Sequence, residues 1–449
     1  MAILLGLRPR RAKVRLTKTA VGIACAFPNG VKGIVILLST LIAAAASAGS
    51  ITIEKAYPSD ISGNPVALEV GDTFYMTARL HVDANLNGPY RVRFDLPYIS
   101  RTSDSFRFTG EAYVVWGPYP VLLPNAMSIK ATVVTSTDKA GPPLTIQATP
   151  SVPGAGIEFF GAKSLTASFG ASAKLSSGSI SGLEWVSPVP VSGGFQTVTD
   201  SLQPDAILPS TPFDEPVTLS PQVGSVAYQF QATASSSRVN PAVLEGVGFD
   251  SYSDLPADVA CWLKPETLVE SSNSDLARFV AKTLPGGYRS KMASYDVAQK
   301  LFEAVVAHTR YVTTTAKPDA LNALHSGHGD CGGFTSLFVA CCRNAGIPAR
   351  AATGMIAGTN QWHVWAEFYI PGFGWIPADP AFCQSLCPAG TMPLYFGTIP
   401  ELNQRVALSY GFDHFIDGNQ VTVLQSPAVI SSGRTHVSSV SAWCTLSGS

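Results

Sequence analysis

The sequence predicts an α+β domain that follows all-β, sandwich-like regions. From residue 51 to about residue 248, short segments rich in Val, Thr, Tyr and Phe alternate apolar with polar residues and are separated by Gly, Pro, Asn and Asp. From about residue 249 the pattern changes to two amphipathic helices, an apolar helix and then strands. Helices followed by an antiparallel sheet are typical of the α+β class.

Length and charge narrow the class of protein. The chain has 449 residues, of which 46% are hydrophobic and 14% charged, and its net charge is -1. At about 100 to 200 residues per domain, two to four domains are expected. A nearly neutral chain has no overall electrostatic attraction to nucleic acid, so we expect no nucleic-acid partner. Low charge with many Ser, Thr, Gly and Pro residues favours an exported β-rich protein.

Residues 1–48 have the three parts of a signal peptide. An apolar h-region runs from Ile34 to Ala46, and small residues at Ala46 and Ala48 form a cleavage site. The basic n-region contains Arg8, Arg10, Arg11, Lys13, Arg15 and Lys18. We therefore expect cleavage after Ala48 and a periplasmic or extracellular location. Contact with a membrane is expected only if this segment stays uncleaved, because the h-region is shorter than the roughly 20 residues that span a bilayer.

Two β-rich regions precede the helices. Residues 49–150 contain alternating segments such as 73–82 and 90–96 and are predicted to form a β-sandwich domain. Residues 151–248 continue the β pattern with many prolines and are predicted to be a second β-rich region with linkers. Neither region contains a group of residues that suggests chemistry.

Helices are expected next. One amphipathic helix should begin at Ser274 and end before Pro285, and a second should begin at Ser294. A third, apolar helix should begin at Cys331, after the turn formed by Gly329 and Asp330. The positive end of a helix dipole stabilises an anion, so this position favours a thiolate.

A histidine and an aspartate follow at distances that suit a catalytic site. Strands are predicted over 349–355, 363–370 and 374–376, so His363 lies on a strand and Asp379 just beyond the next one. If Cys331 is a nucleophile, it needs a base within reach and a third group to orient that base. His363 can be the base, and Asp379 can stabilise the imidazolium that forms.

Five short blocks in this part of the chain resemble the transglutaminase-like superfamily, relatives of the papain-type cysteine peptidases. They are GDCG (329–332), AGIPAR (345–350), HVWAE (363–367), PGFGW (371–375) and ADP (378–380). The resemblance implies a papain-like α+β catalytic domain over 249–425, followed by a C-terminal extension over 426–449. It also implies that Cys331 is the nucleophile, His363 the base and Asp379 its orienter. The side chain that completes the family's oxyanion hole is not recognisable in this sequence.

The implied function is thiol-dependent acyl transfer on a protein or peptide substrate, without a cofactor. Because the resemblance is to the microbial-type core, we expect hydrolysis of peptide or amide bonds. Two alternatives remain open: a transglutaminase that cross-links proteins through an amine acceptor, and a secreted binding or adhesion scaffold without activity. The sequence does not determine the oligomeric state.

Ordinary structural roles compete with these assignments. A cysteine at a helix start is often structural, a strand histidine can simply be buried, and Asp379 before Pro380 is a common turn residue. Glu367 has the same strand parity as His363 and could face the site, or be paired elsewhere. A zinc site is also conceivable, but the usual second pair of ligands is missing and we expect no metal. Its ligands would be His325, His328, Asp330 and Cys331.

An oxidising compartment would also act on the cysteines. Beside Cys25 and Cys331, six cysteines remain, and they allow 15 pairing patterns; the shortest loop would join Cys383 to Cys387. The same compartment can oxidise the Cys331 thiol, so activity is expected to require mild reduction.

Overall fold

The computed structural model describes residues 34–38, 50–70, 72–83, 86, 88–97, 99–107, 109–121, 127–151, 154–199, 217–313, 317–358, 361–386, 395–416 and 419–448. These residues form two compact units, one up to residue 151 and one from residue 154 onward. The predicted h-region is described only at 34–38, and the cleavage site lies outside the described residues.

The first unit is built of strands. They are β1 (Ile34–Leu38), β2 (Ser50–Ser59), β3 (Thr73–Val82), β4 (Tyr90–Asp95), β5 (Ser100–Thr102), β6 (Gly110–Pro120), β7 (Met127–Thr135), β8 (Lys139–Ala140) and β9 (Leu144–Ala148). One sheet has the order β1-β6-β3-β2-β8 and the other β5-β4-β7-β9. The prediction of an all-β region before the helices is confirmed, whereas the sandwich arrangement stays a prediction.

The strands of the first unit form where buried apolar residues alternate with exposed polar residues. In β4, Tyr90, Val92 and Phe94 are buried while Arg91 and Arg93 are exposed. Antiparallel sheets commonly bury one face and leave the other in water, and this period of two produces that pattern. The core of the first unit therefore consists of the inward rows of its strands.

The second unit mixes strands and helices. Its strands are β10 (Ile157–Ser177), β11 (Leu183–Pro188), β12 (Gln196–Val198), β13 (Val217–Pro221), β14 (Ser225–Val239), β15 (Arg310–Tyr311), β16 (His328–Gly329), β17 (Ala349–Ile356), β18 (Gln361–Ile370), β19 (Gly374–Ala378), β20 (Arg405–Tyr410), β21 (Asp413–Ile416), β22 (Asn419–Thr422), β23 (Ala428–Ser431) and β24 (His436–Gly448). Its helices are α1 (Pro241–Leu244), α2 (Ala257–Ala260), α3 (Ser274–Thr283), α4 (Ser294–His308), α5 (Ala320–Ser326), α6 (Cys331–Ala345) and α7 (Pro380–Leu386). The sequence analysis did not anticipate α5, α7 or β20.

Strands from distant parts of the chain pair within this unit. One sheet has the order β12-β14-β10-β24, so the segment predicted as a C-terminal extension pairs with the second β-rich region. In a three-stranded sheet of order β13-β11-β23, strand β23 of the C-terminal extension likewise pairs with the second β-rich region. The helices pack against a third sheet, of order β19-β18-β17-β20.

Helix α6 is the central element of this unit. It begins at Cys331, where the Asp330 side chain accepts a hydrogen bond from the Gly333 N–H at 3.0 Å, and it ends at Gly346, whose φ of 91° is left-handed. Nearly all its side chains are buried; Phe338, for example, packs against the Phe302 and Phe368 rings with centroids 5.5 and 6.2 Å apart. The helix predicted at Cys331 is confirmed. No helix among the described residues is long and apolar enough to cross a membrane.

Candidate active site

Cys331 differs from the other described cysteines in its exposure. It is the first residue of α6 and is half-buried, whereas the other five are buried: Cys261, Cys341, Cys342, Cys383 and Cys444. Burial raises the pKa of the Cys341 and Cys342 thiols and raises that of Cys444 to about 11. Since a thiolate is the nucleophilic form of cysteine, Cys331 is the sulfur in the described residues that is best placed to react.

His363 lies on β18, with its side chain turned into the domain. The residue is 5% exposed, and its ring stacks on the Trp365 ring at a centroid distance of 6.1 Å and an angle of 18°. Its Nε2 is 2.7 Å from Asp379 Oδ2. The Cys331 sulfur is close enough to the ring for its hydrogen bonding and negative charge to raise the pKa of His363.

Asp379 is fixed by the start of a helix. It follows β19 and precedes α7, and its Oδ1 accepts a hydrogen bond from the Phe382 N–H at 2.9 Å. The residue is fully buried. Burial alone would raise the pKa of this carboxyl, but the charges of His363 and Arg405 lower it to about 2. Asp379 is therefore ionised and has one oxygen committed to the backbone.

The electrostatics of His363 favour the imidazolium. Burial alone would lower the pKa of the ring, but the Asp379 carboxylate and the hydrogen bond and negative charge of Cys331 raise it to about 9. A cationic ring between a carboxylate and a sulfur can hold a thiolate on one side and be oriented from the other. The structure thus brings together the three residues that the sequence analysis selected.

Arg405 was missed by the sequence analysis. It is the first residue of β20, is 1% exposed, and its Nη1 donates to Asp379 Oδ2 at 2.6 Å. Its guanidinium carbon lies 4.7 Å from the Phe382 ring centroid and 5.6 Å from that of Trp365. The one available signal was an arginine directly before the apolar run 406–408, which by itself is more typical of an exposed strand start.

The second β-rich region also supports the site. Phe195 packs edge-on against Trp365 with ring centroids 5.9 Å apart. The neighbouring Gln196 is buried, and its amide pairs with the backbone of Ala407, accepting from the N–H at 2.8 Å and donating to the carbonyl at 3.0 Å. Phe195 therefore packs against the Trp365 side chain, and Gln196 fixes strand β20 through its backbone.

Tyr311 lies beside the start of the Cys331 helix. In the parallel pair of β15 and β16 it is opposite Gly329, and its ring stacks on Phe334 at 6.3 Å. Burial, together with the negative charges of Cys331, Asp330 and Asp379, raises the pKa of this phenol. The sequence analysis did not assign a role to Tyr311.

The four residues of the alternative zinc site are not gathered around a common point. His325 Nε2 is 2.9 Å from Asp275 Oδ2, His328 Nδ1 is 2.8 Å from the Ser326 carbonyl, and Asp330 caps α6. Across the described part of the chain, no group of three His, Cys, Asp or Glu residues could hold a metal ion.

Glu367 is paired away from the site. Its Oε2 accepts hydrogen bonds from Arg350 Nε at 2.9 Å and Nη2 at 2.7 Å. Arg350 in turn lies 3.6 Å from the Tyr410 ring centroid and 4.1 Å from that of Trp375. The arginine of the AGIPAR block and the glutamate of the HVWAE block therefore serve to join β17 to β18.

Comparison with known proteins identifies the domain. Residues 282–380 match the model of the transglutaminase-like superfamily, and the chain carries a transglutaminase-like domain there. An uncharacterized protein of Haemophilus influenzae is 35% identical over an alignment that covers 12% of this chain and 21% of that protein. The chain thus spans about a fifth of the length of that curated relative.

Solved structures are also similar to this chain. A candidate cysteine protease from Cytophaga hutchinsonii aligns with a TM-score of 0.46 and 17% identity, covering 65% of this chain and 92% of its own. A candidate protease from Parabacteroides distasonis aligns with a TM-score of 0.19 and 10% identity, covering 73% of this chain and 66% of its own.

Proposed function

We propose that this chain is an exported, thiol-dependent acyl-transfer enzyme that hydrolyses peptide or amide bonds through Cys331, His363 and Asp379. The observation that carries the proposal is the position of the His363 ring, which lies 2.7 Å from the Asp379 carboxylate and near enough to Cys331 for the sulfur to raise its pKa, within the matched transglutaminase-like segment. A base that touches both the nucleophile and its own orienting carboxylate is the arrangement that acyl transfer through sulfur requires.

The first half of the reaction forms a thioester. The Cys331 thiolate attacks the carbonyl carbon, a C–S bond forms, and the carbonyl oxygen becomes an oxyanion. The Cys331 N–H lies in the first turn of α6, where N–H groups have no partner within the helix, and can donate to that oxyanion. As the oxyanion collapses, the His363 imidazolium gives its proton to the leaving nitrogen and the C–N bond breaks.

The second half releases the acyl group. His363, now neutral, takes a proton from water while the water oxygen attacks the thioester carbon. The C–S bond then breaks, the carboxylic acid leaves, and the thiolate and imidazolium are restored. An amine in place of water would give a new amide instead, which is the cross-linking reaction.

The choice of acceptor can be tested directly. Reduced protein is incubated with denatured casein and a fluorescent primary amine, and the products are analysed by mass spectrometry, with Cys331→Ala as the control. We expect new peptide termini or deamidated side chains that depend on Cys331, without incorporated amine. If the main product carries the incorporated amine, the activity is transamidation and the proposal of hydrolysis is wrong.

Export is part of the proposal and has its own test. It rests on the basic, apolar and small-residue segments of residues 1–48. N-terminal sequencing of protein recovered from the periplasm or medium should begin at Gly49, whereas an intact Met1 on the recovered protein would refute cleavage.

A further inference from the structure

Two cations bind the same oxygen of Asp379. His363 Nε2 lies 2.7 Å from Oδ2, and Arg405 Nη1 lies 2.6 Å from the same atom. The other oxygen, Oδ1, accepts from the Phe382 N–H. The ring and the guanidinium therefore share one acceptor, and their nitrogens lie within roughly 5 Å of each other, a range in which one charge changes the proton affinity of another.

Burial makes this sharing consequential. The Arg405 side chain is 1% exposed and that of Asp379 is 0% exposed, so bulk water screens their interaction little. The Trp365 and Phe382 rings flank the guanidinium. Among the described residues, the titratable and charged groups that act on the His363–Asp379 pair are Cys331, Tyr311, Glu401 and Arg405, and Asp330 acts on Tyr311.

Glu401 lies near Arg405. Burial raises the pKa of the Glu401 carboxyl although the charge of Arg405 opposes that rise, and Glu401 accepts a hydrogen bond from the Tyr395 hydroxyl at 3.4 Å. The ion pair with Asp379 Oδ2 at 2.6 Å is therefore the contact that holds the guanidinium in place.

We propose that Arg405 is a positioning residue that fixes the Asp379 carboxylate on His363 and, by sharing Oδ2, limits how firmly the imidazolium holds its proton. This inference rests on the proposed function of Cys331 and His363. A carboxylate held by His363 alone would bind the imidazolium more tightly and make it a poorer acid. With Arg405 on the same oxygen, the ring can still stabilise the thiolate but releases its proton more readily to the leaving nitrogen.

The first test measures the pH at which His363 loses its proton in the absence of substrate. The full chain is labelled with ¹³C-histidine and titrated by NMR, and the His363 signal is assigned by its loss in His363→Asn. Replacing the guanidinium in Arg405→Met should raise the pH at which His363 loses its proton by about one unit. Arg405→Lys keeps the charge and should give a smaller rise in the same direction.

A matched control separates this effect from general damage. Arg238 is another buried arginine, with Nε 3.0 Å from Glu158 Oε2 and its guanidinium carbon 4.5 Å from the Phe160 ring. Arg238→Met should leave the His363 titration unchanged. An unchanged titration in Arg405→Met would overturn the inference. If that variant does not fold, Arg405→Gln removes the charge but keeps a hydrogen-bond donor, and an unchanged titration in Arg405→Gln would overturn the inference.

A second readout separates the two proposals. Hydrolysis of p-nitrophenyl acetate releases a phenolate that needs no proton, whereas cleavage of casein amides does. Arg405→Met should lose casein cleavage by at least about tenfold, because general acid catalysis contributes roughly 10²–10⁴-fold, and should keep most of the esterase rate. An equal loss of casein cleavage and of ester hydrolysis would show that Arg405 does not act through the proton that His363 donates. Absence of both reactions in the wild-type protein would instead refute the proposed function.

Discussion

Gly354 lies directly opposite His363 where β17 pairs with β18. On its other side β17 pairs with β20, and a Cβ added at Gly354 would lie 1.9 Å from the Val406 carbonyl oxygen. The close approach of these strands brings Arg405, at the start of β20, to Asp379. A residue without a side chain is therefore required where β17 lies between the strands that carry His363 and Arg405.

Substituting Gly354 by Ala should force β20 away from β17. Overpacking of this kind destabilises by about 1–3 kcal/mol, and we expect a loss of activity as Arg405 moves. Chemical unfolding and casein cleavage measure the two effects. Gly248→Ala is the matched control, because Gly248 has a φ of -83° and nothing within 4 Å of an added Cβ. Equal stability of the Gly354→Ala and wild-type proteins would mean that the strands are not packed this closely.

Arg343 should contribute strongly to the stability of the second unit. Its Nη2 is 2.6 Å from Glu266 Oε1 and both side chains are 0% exposed. Arg343→Met would leave the buried Glu266 carboxylate with two backbone N–H donors but no cation, so the free energy of unfolding should fall by about 3–5 kcal/mol. Arg93→Met removes the exposed partner of Asp95 and should change the free energy of unfolding by less than about 1 kcal/mol. Similar values for the two variants in denaturant titrations would contradict this expectation.

His414 should make the protein sensitive to acid. It is 1% exposed, neither ring nitrogen has a hydrogen-bond partner among the described residues, and burial lowers its pKa to about 4 despite the nearby charge of Asp413. The unfolded chain binds this proton near pH 6.5, so stability should be unaffected above that pH. It should decrease by up to about 3 kcal/mol as the pH falls from 6.5 to 4.

His414→Leu should remove this loss, which unfolding curves at pH 7, 5.5 and 4.5 can measure. His436 is exposed on β24, and His436→Leu should keep the wild-type pH dependence. If His414→Leu and the wild-type protein lose stability in parallel on acidification, the buried neutral histidine is not the cause.

Activity should depend on the redox state of the purified protein. Cys331 is half-buried, while the other described cysteines are buried, so oxidants in an exported setting should reach it first. Protein purified in air should gain casein cleavage after mild reduction, in proportion to the free thiol recovered at Cys331 by mass spectrometry. Full activity with Cys331 oxidised would exclude the thiol mechanism.

The elements that surround the site were largely predictable. Cys331, His363 and Asp379 lie in short blocks whose local patterns, a turn before an apolar helix and alternating strands, are set by neighbours in the chain. The α6 helix and strands β17 to β19 appear where those patterns indicated.

Long-range partners were not predictable. Arg405 reaches Asp379 from 26 residues away, and Gln196 pairs with Ala407 across 211 residues. Phe195 and strand β24 come from regions that are far in sequence from the segment that carries Cys331, His363 and Asp379. Such contacts depend on how sheets assemble in space, which local periodicity does not encode.

Selective alkylation of Cys331 tests the central claim most directly. The reduced full chain is treated with limiting iodoacetamide at pH 7, and the modified cysteines are quantified by mass spectrometry in the wild-type protein and in His363→Ala. We predict rapid modification at Cys331 alone, which slows markedly in His363→Ala, because the imidazolium that stabilises the thiolate is absent. Labelling of Cys331 no faster than that of Cys341 or Cys383, or a rate unchanged in His363→Ala, would contradict the account and favour a scaffold without thiol chemistry.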